Sequence, residues 1–295
     1  MAADLAAFVT ATGASAAARL PRFRMSSKSG RRQLRRALAP ALGCGLALAL
    51  GGAAAGAYSG GDPPENGANP CTGPEAKQLL CPNLRMSKPS QMFISTSPSG
   101  RRLLHAQSSL NSRGEGPVEI HGQRIPGTRL MRVNQSIHRK GGGKLVIRTQ
   151  GRLAFYPVPG QYRYWKFRDA ARFEIWSVDG QGRPQQRLRT GPKFYYCLRD
   201  LERTKPSRHS PHNRVYPGCN QDPNKKRVML GTSVGWSDIY PADYNQQYVD
   251  VSGLHGCFAF YMEADPKNHL RESNENDNRS RALVRLPSGR RVGHC

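Results

Sequence analysis

Beyond residue 70 the chain alternates apolar and polar positions in short runs, each closed by Gly, Pro, Asn, Asp or Ser. "PVEIHGQRI" (117–125) and "GKLVIRTQGRLAFYPV" (143–158) have the period of two expected of strands with one packed face. "RYWKFRDAARFEIWSVDG" (163–180), "QYVDVSGLHGCFAFYMEAD" (247–265) and "RALVRLPSG" (281–289) repeat the pattern. No helical period separates these runs, so the spacing predicts an all-β antiparallel sandwich rather than βαβ units. Two connections are long, 199–234 and 266–279 ("PKNHLRESNENDNR"), and long loops in a compact domain commonly carry function or stay unstructured. There is no internal repeat, and one domain over 71–295 is the simplest count.

The N-terminal part has a different pattern. "GRRQLRRALAPALGCGLALALGGAAAGA" (30–57) joins a basic start to an Ala/Leu-rich apolar run and a small-residue exit, the order of an export signal. Residues 1–57 are therefore expected to be a signal cleaved near Ala57, with Met25 as an alternative start and a retained anchor as the other reading. Residues 58–70, "YSGGDPPENGANP", have the composition of a linker. Six cysteines follow: Cys71, Cys81, Cys197, Cys219, Cys257 and Cys295. An even count in an exported chain implies disulfides. Sequence proximity pairs Cys71 with Cys81 and Cys197 with Cys219, which leaves Cys257 with Cys295.

Charge narrows the partners. Eight of the 45 basic residues and one of the 20 acidic ones precede residue 58, leaving 37 against 19, a net of +18, on the remainder. A field of that sign attracts anionic polymers or surfaces and repels cationic ones. An anionic polymer or surface of the cell envelope is the expected partner, and the expected location is extracytoplasmic.

Aromatic and basic residues are densest in "QYRYWKFRDAARFEIW" (161–176). Alternation puts Tyr162, Tyr164 and Lys166 on one face of a strand, with Arg163, Trp165 and Phe167 on the other. Histidine is the natural metal ligand at such spacing, and this stretch has none. The closest pair among the eight histidines, His209 and His212, falls in the long 199–234 loop. Arg and Lys interleaved with rings can also stack on bases, so a nucleic-acid platform is a further reading.

Three stretches in order resemble the catalytic domain of the lysyl oxidase family, particularly its bacterial members. They are "TGPKFYYCLRD" (190–200), "GTSVGWSDIYPADYNQQYVDVSGL" (231–254) and "EADPKNHLRESNENDN" (263–278), and "LLCPNLRM" (79–86) is similar to the opening of bacterial members. The resemblance implies an antiparallel β-sandwich with long loops and disulfides. It also implies a copper amine oxidase that turns a primary amine into an aldehyde through lysine tyrosylquinone. By that resemblance Lys193 and Tyr240 match the two quinone precursors. The family's His-x-His-x-His copper strand matches Tyr162, Tyr164 and Lys166, so all three imidazoles are replaced. A phenol must ionise and an ammonium must lose its proton before either binds copper. Tyr162, Tyr164 and Lys166 are then expected to line a former active-site cleft, with Asp169 or an anionic ligand as partner. Arg199 and Asp200 read as a structural pair.

The resemblance further implies a calcium site. Its candidates are Glu272, Asn274, Asp277 and Asn278 of the polar loop, with Asn83 and the Leu84 carbonyl; calcium takes six to eight oxygen ligands. Three functions follow: a metal-free binding or structural module, an amine oxidase for a small primary amine that recruits His209 or His212, and a polyanion or nucleic-acid binder. The first is preferred, because every expected copper ligand is gone.

Overall fold

The computed structural model describes residues 67–295. The expected export signal and residues 58–66 of the expected linker lie outside the described residues. Residues 67–70 pack against the domain: Arg271 donates to the Gly67 carbonyl at 3.0 Å, and Asn69 Nδ2 donates to the Glu272 carbonyl at 2.8 Å.

The described chain is all-β, and all of its strand pairs are antiparallel. A short 3-10 turn, Pro74–Gln78, precedes β1 (Leu79–Leu80) and β2 (Leu84–Met86). Then come β3 (Ser90–Thr96), β4 (Arg102–Ser112), β5 (Val118–Arg124), β6 (Leu130–Arg139), β7 (Lys144–Pro157) and β8 (Arg163–Phe167). β9 (Ala171–Val178), β10 (Pro184–Thr190), β11 (Arg227–Thr232), β12 (Ser237–Tyr240) and β13 (Tyr248–Asp250) follow. β14 (Gly256–Ala264), β15 (Arg279–Leu286) and β16 (Arg290–Val292) complete the order.

One sheet runs β11-β5-β6-β7-β8, with β1 added to β6; a second runs β10-β9-β14-β15-β16. The third is organised on β4, which pairs with β2, β3, β12 and β13. Inward residues of all three meet in one core that includes Leu104, Leu110, Ile120, Leu153, Trp165, Phe167, Phe173 and Phe260.

Two expected strands are each divided. The 163–180 run turns at Asp169, whose φ of 56° lies in the left-handed region that Asp tolerates better than most residues. The 247–265 run breaks at Gly253 and Gly256, with φ of 72° and 110°. Three disulfides, Cys71–Cys81, Cys197–Cys219 and Cys257–Cys295, close Cα separations of 5.7, 5.6 and 5.8 Å.

Candidate functional site

β8 shows how the sequence builds the site. Its even face carries Lys166 and its odd face sends Trp165 and Phe167 into the core, yet all three are buried. The segment after β10 lies alongside: the Phe167 N–H donates to the Tyr196 carbonyl at 2.8 Å, and the Tyr196 N–H returns a bond at 3.1 Å. That pairing, next to the Cys197–Cys219 bridge, sets the segment carrying Lys193 beside β8, and Lys193 itself is buried. β12 pairs with β4, with Tyr240 opposite Ser108, and delivers Asp238 and Tyr240 to the same place.

Lys193 Nζ sits 4.1 Å from the centroid of the Tyr240 ring, 4.8 Å from Tyr244 and 5.0 Å from Tyr196. Residues 47 positions apart in sequence are therefore in contact, and both are buried, 2% and 3% exposed. The Tyr240 hydroxyl accepts the Cys197 N–H at 3.1 Å. Tyr196 packs edge-on against Tyr240, and its own hydroxyl reaches Ser108 Oγ at 2.5 Å.

The neighbouring cavity, about 260 Å³, is lined by Gln161, Tyr164, Lys166, Arg199, Tyr240 and Tyr244, beside the Cys197–Cys219 bridge. Lys166 Nζ lies 5.6–5.9 Å from the ring centroids of Tyr244, Tyr164 and Tyr156. Arg199 Nε is 3.4 Å from Asp238 Oδ1, while Asp238 Oδ2 is buried with no hydrogen-bond partner among the described residues.

Burial dominates the ionisation of Lys193, Lys166, Asp238 and Tyr240. It holds the Lys193 ammonium well below its ordinary range, helped by the Lys166 charge and opposed by Asp238. It pushes Lys166 down to about 8, with Asp238 opposing and Arg199 adding to the fall. It lifts the Asp238 carboxyl to about 6 against the pull of Arg199. The Tyr240 phenol is raised well above its usual value by burial and then by the Asp238 charge. The phenol is thus held protonated beside an amine that sheds its proton readily.

The expected site residues divide. Tyr164 and Lys166 face the cavity with Lys193 and Tyr240 close by. Tyr162 does not: it precedes the first residue of β8 and is 67% exposed. Asp169 is not the partner of Lys166 either, because it pairs with Lys267 at 3.2 Å. Nor are Arg199 and Asp200 a pair. Arg199 turns to Asp238, while Asp200 accepts the N–H groups of Ser233, Val215 and Tyr216 and the Ser233 hydroxyl at 2.7–3.2 Å. His209 bonds its neighbour Arg208 at 2.9 Å and His212 is exposed; neither lines this cavity. Asp238, Tyr196 and Tyr244 are the site residues that sequence reasoning missed. "SDIYPADY" (237–244) contains the first and last of them, but nothing in strand periodicity aims either at Lys193.

The copper donor set does not fit: one phenol is turned into solvent, a second lines the cavity wall, and the third position holds an ammonium that would repel a cation. The calcium residues fit better. Glu272 is fully buried; its carboxylate accepts the Leu84 N–H and, at 3.0 Å, Asn278 Nδ2. Asn83 Nδ2 donates to Asp277 Oδ2 at 3.2 Å. The remaining oxygens, Asn83 Oδ1, Asp277 Oδ1 and Asn278 Oδ1, are buried without hydrogen-bond partners among the described residues, as are Glu275 Oε2 and Asp265 Oδ1. Burial and the carboxylates of Asp265 and Glu275 hold Glu272 well above the ordinary carboxylate range, a crowding that a hard cation would relieve. Asn274 is not part of this group: it is exposed and its Oδ1 accepts the Asn276 N–H at 3.0 Å. Leu84 faces the loop through its N–H rather than the expected carbonyl. Among the described residues no three or more His, Cys, Asp or Glu side chains are already arranged around a metal position. A cation here would therefore draw on amide and backbone oxygens and on rotation of Glu272 away from Leu84.

The lysyl oxidase family model matches residues 106–292, more than half of the chain, and the chain belongs to that family. A comparison with curated proteins finds no match.

Proposed function

We propose that this protein is an extracytoplasmic member of the lysyl oxidase family that does not carry out copper-dependent amine oxidation and serves as a binding module for an anionic partner at the cell envelope. One observation carries this reading. At the third copper position stands Lys166, a buried side chain whose amine lies among three aromatic rings at the cavity and forms no ion pair among the described residues. A cationic group in that place opposes a copper ion, and the flanking phenols replace none of the lost imidazoles. The three disulfides suit an oxidising compartment. Calcium, if bound, is held by Glu272, Asp277, Asn278 and Asn83 and ties the 266–279 loop to β2, a structural role.

The Lys193–Tyr240 contact favours a second reading, an amine oxidase for a small primary amine. In that reading the two side chains join once the tyrosine is oxidised. It requires a metal-binding set elsewhere in the chain, and the described cavity offers no imidazole for it.

Equilibrium dialysis against Cu(II), followed by metal analysis and a peroxide assay with primary amines, tests the proposal. The expected result is no stoichiometric copper and no amine-dependent peroxide. Equimolar retained copper with peroxide release favours the second reading.

A further inference from the structure

A groove of about 650 Å³ lies between the end of β2, the end of β4 and β15. Its charged lining includes Arg85, Lys88, Arg113, Lys205 and Arg281, with Asp277 as the acid among them. Asp277 sits 3.3 Å from Arg85 Nε. A further lining arginine, Arg279, is bound to Glu174 at 2.8 Å and stacked on Tyr261. Four cations are left without a carboxylate partner among the described residues. Arg113 is held by neutral acceptors only: the Lys205 carbonyl, Asn111 Oδ1 and Thr204 Oγ1, each at 3.3 Å. The tip of Arg281 reaches the Tyr261 hydroxyl at 3.4 Å, and Lys88 and Lys205 are exposed.

We infer that this groove is where the anionic partner binds, and that the partner is a linear polymer bearing phosphate-like oxyanions along its length. The inference rests on the proposal of an anionic partner and gives it a location. Like charges gathered in one concavity repel each other, and a concave wall focuses their field on whatever enters. Guanidinium forks match the oxygens of phosphate or carboxylate in two parallel bonds, and the lysines add point charges at the rim. Shape decides between a chain and a bilayer. A planar headgroup surface cannot follow a groove, and none of the exposed large apolar residues (Phe93, Tyr162, Val215 and Met229) lines it to insert into lipid.

The test uses fluorescent medium-chain inorganic polyphosphate, with inorganic phosphate and phosphatidylglycerol vesicles as comparisons, titrated at several salt concentrations. The groove variant is Lys88→Gln, Lys205→Gln, Arg281→Gln. Its control is Lys225→Gln, Lys226→Gln, Arg227→Gln, three exposed cations outside the groove. Circular dichroism confirms that both variants fold. Polyphosphate is expected to bind the wild type far more tightly than phosphate does. The groove variant should lose about 10- to 100-fold in affinity, at up to roughly 1 kcal/mol per removed contact. Its salt slope should fall by about two to three, at roughly 0.7–0.9 per contact. The control should change little. Equal losses in both variants would mean diffuse attraction and overturn the groove. Binding to vesicles but not to polyphosphate would also overturn it, in favour of a membrane surface. If the wild type binds none of the probes, the anionic-partner proposal itself fails.

Discussion

Replacing Lys166 by methionine should stabilise the protein, and the gain should depend on pH in a defined way. Lys166 is only 3% exposed, and burial lowers its pKa from 10.5 to about 8. At 1.36 kcal/mol per pKa unit, carrying the charged form into this cavity costs about 3 kcal/mol. The rings of Tyr156, Tyr164 and Tyr244, at 5.6–5.9 Å, return roughly 0.5–2 kcal/mol through cation–π attraction. Methionine removes both effects and keeps the length, for a net gain of about 1–3 kcal/mol near neutral pH. Because the native pKa lies below the unfolded one, the unfolded chain holds more protons between about 8 and 10.5. Wild-type stability attributable to this residue therefore rises through that window, so the advantage of K166M is full below pH 8 and disappears towards pH 10.5. Paired urea denaturation of the two proteins near pH 7 and near pH 10 reads the difference directly. A K166M protein less stable than wild type at pH 7, or a gain that persists unchanged at pH 10, would refute the picture of a buried lysine without an ion pair.

Three further outcomes follow from the same geometry. Y240F removes the acceptor of the Cys197 N–H in a buried setting and should cost about 1–3 kcal/mol in chemical denaturation; a loss indistinguishable from zero contradicts the bond. D200A strands the donors of Ser233, Val215 and Tyr216 and should cost about 3–5 kcal/mol, with limited proteolysis showing earlier cleavage within 199–234. Calcium should raise the melting temperature, and D277N should shrink the increment without abolishing folding; no shift in the wild type at millimolar calcium argues against a cation at that loop.

Much of the fold was legible because β15 alternates buried and open positions in the ordinary way, while β5, β7 and β14 carry the apolar and β-branched runs that mark a strand even though their burial does not alternate strictly. β4 was hidden although it is the hub of a sheet. Its strand partners pair along both of its edges, and Ser108, Ser109 and Asn111 are buried and held by side-chain hydrogen bonds rather than by apolar packing, while the Ser112 hydroxyl is buried without a partner among the described residues. A hydrophobicity pattern cannot register a strand of that kind. In the site, period-two alternation put Tyr164 and Lys166 on one face, but it also placed Tyr162 there. The pleat does not extend to 162, one residue before β8 begins, so that ring turns outward. The contact of Lys193 with Tyr240 joins a loop to a strand end, and only the family motifs pointed to it; strand period says nothing about such pairs. In the calcium loop the motif named Asn274, whereas the fold turns Asn274 out and brings in Glu275 and Asp265. Which side chain of a polar turn points inward is set by the turn's own hydrogen bonds.

The central proposal, a family scaffold without copper chemistry, is tested most directly by peptide mapping of the protein after exposure to copper and air. Mass spectrometry would look for a covalent link between the peptides carrying Lys193 and Tyr240, with quinone staining as a parallel readout. The expected result is two unmodified peptides, despite a side-chain separation of only 4.1 Å between amine and ring centre. Recovery of the cross-linked, quinone-bearing peptide would show that the protein makes its own cofactor, and the proposal would fail.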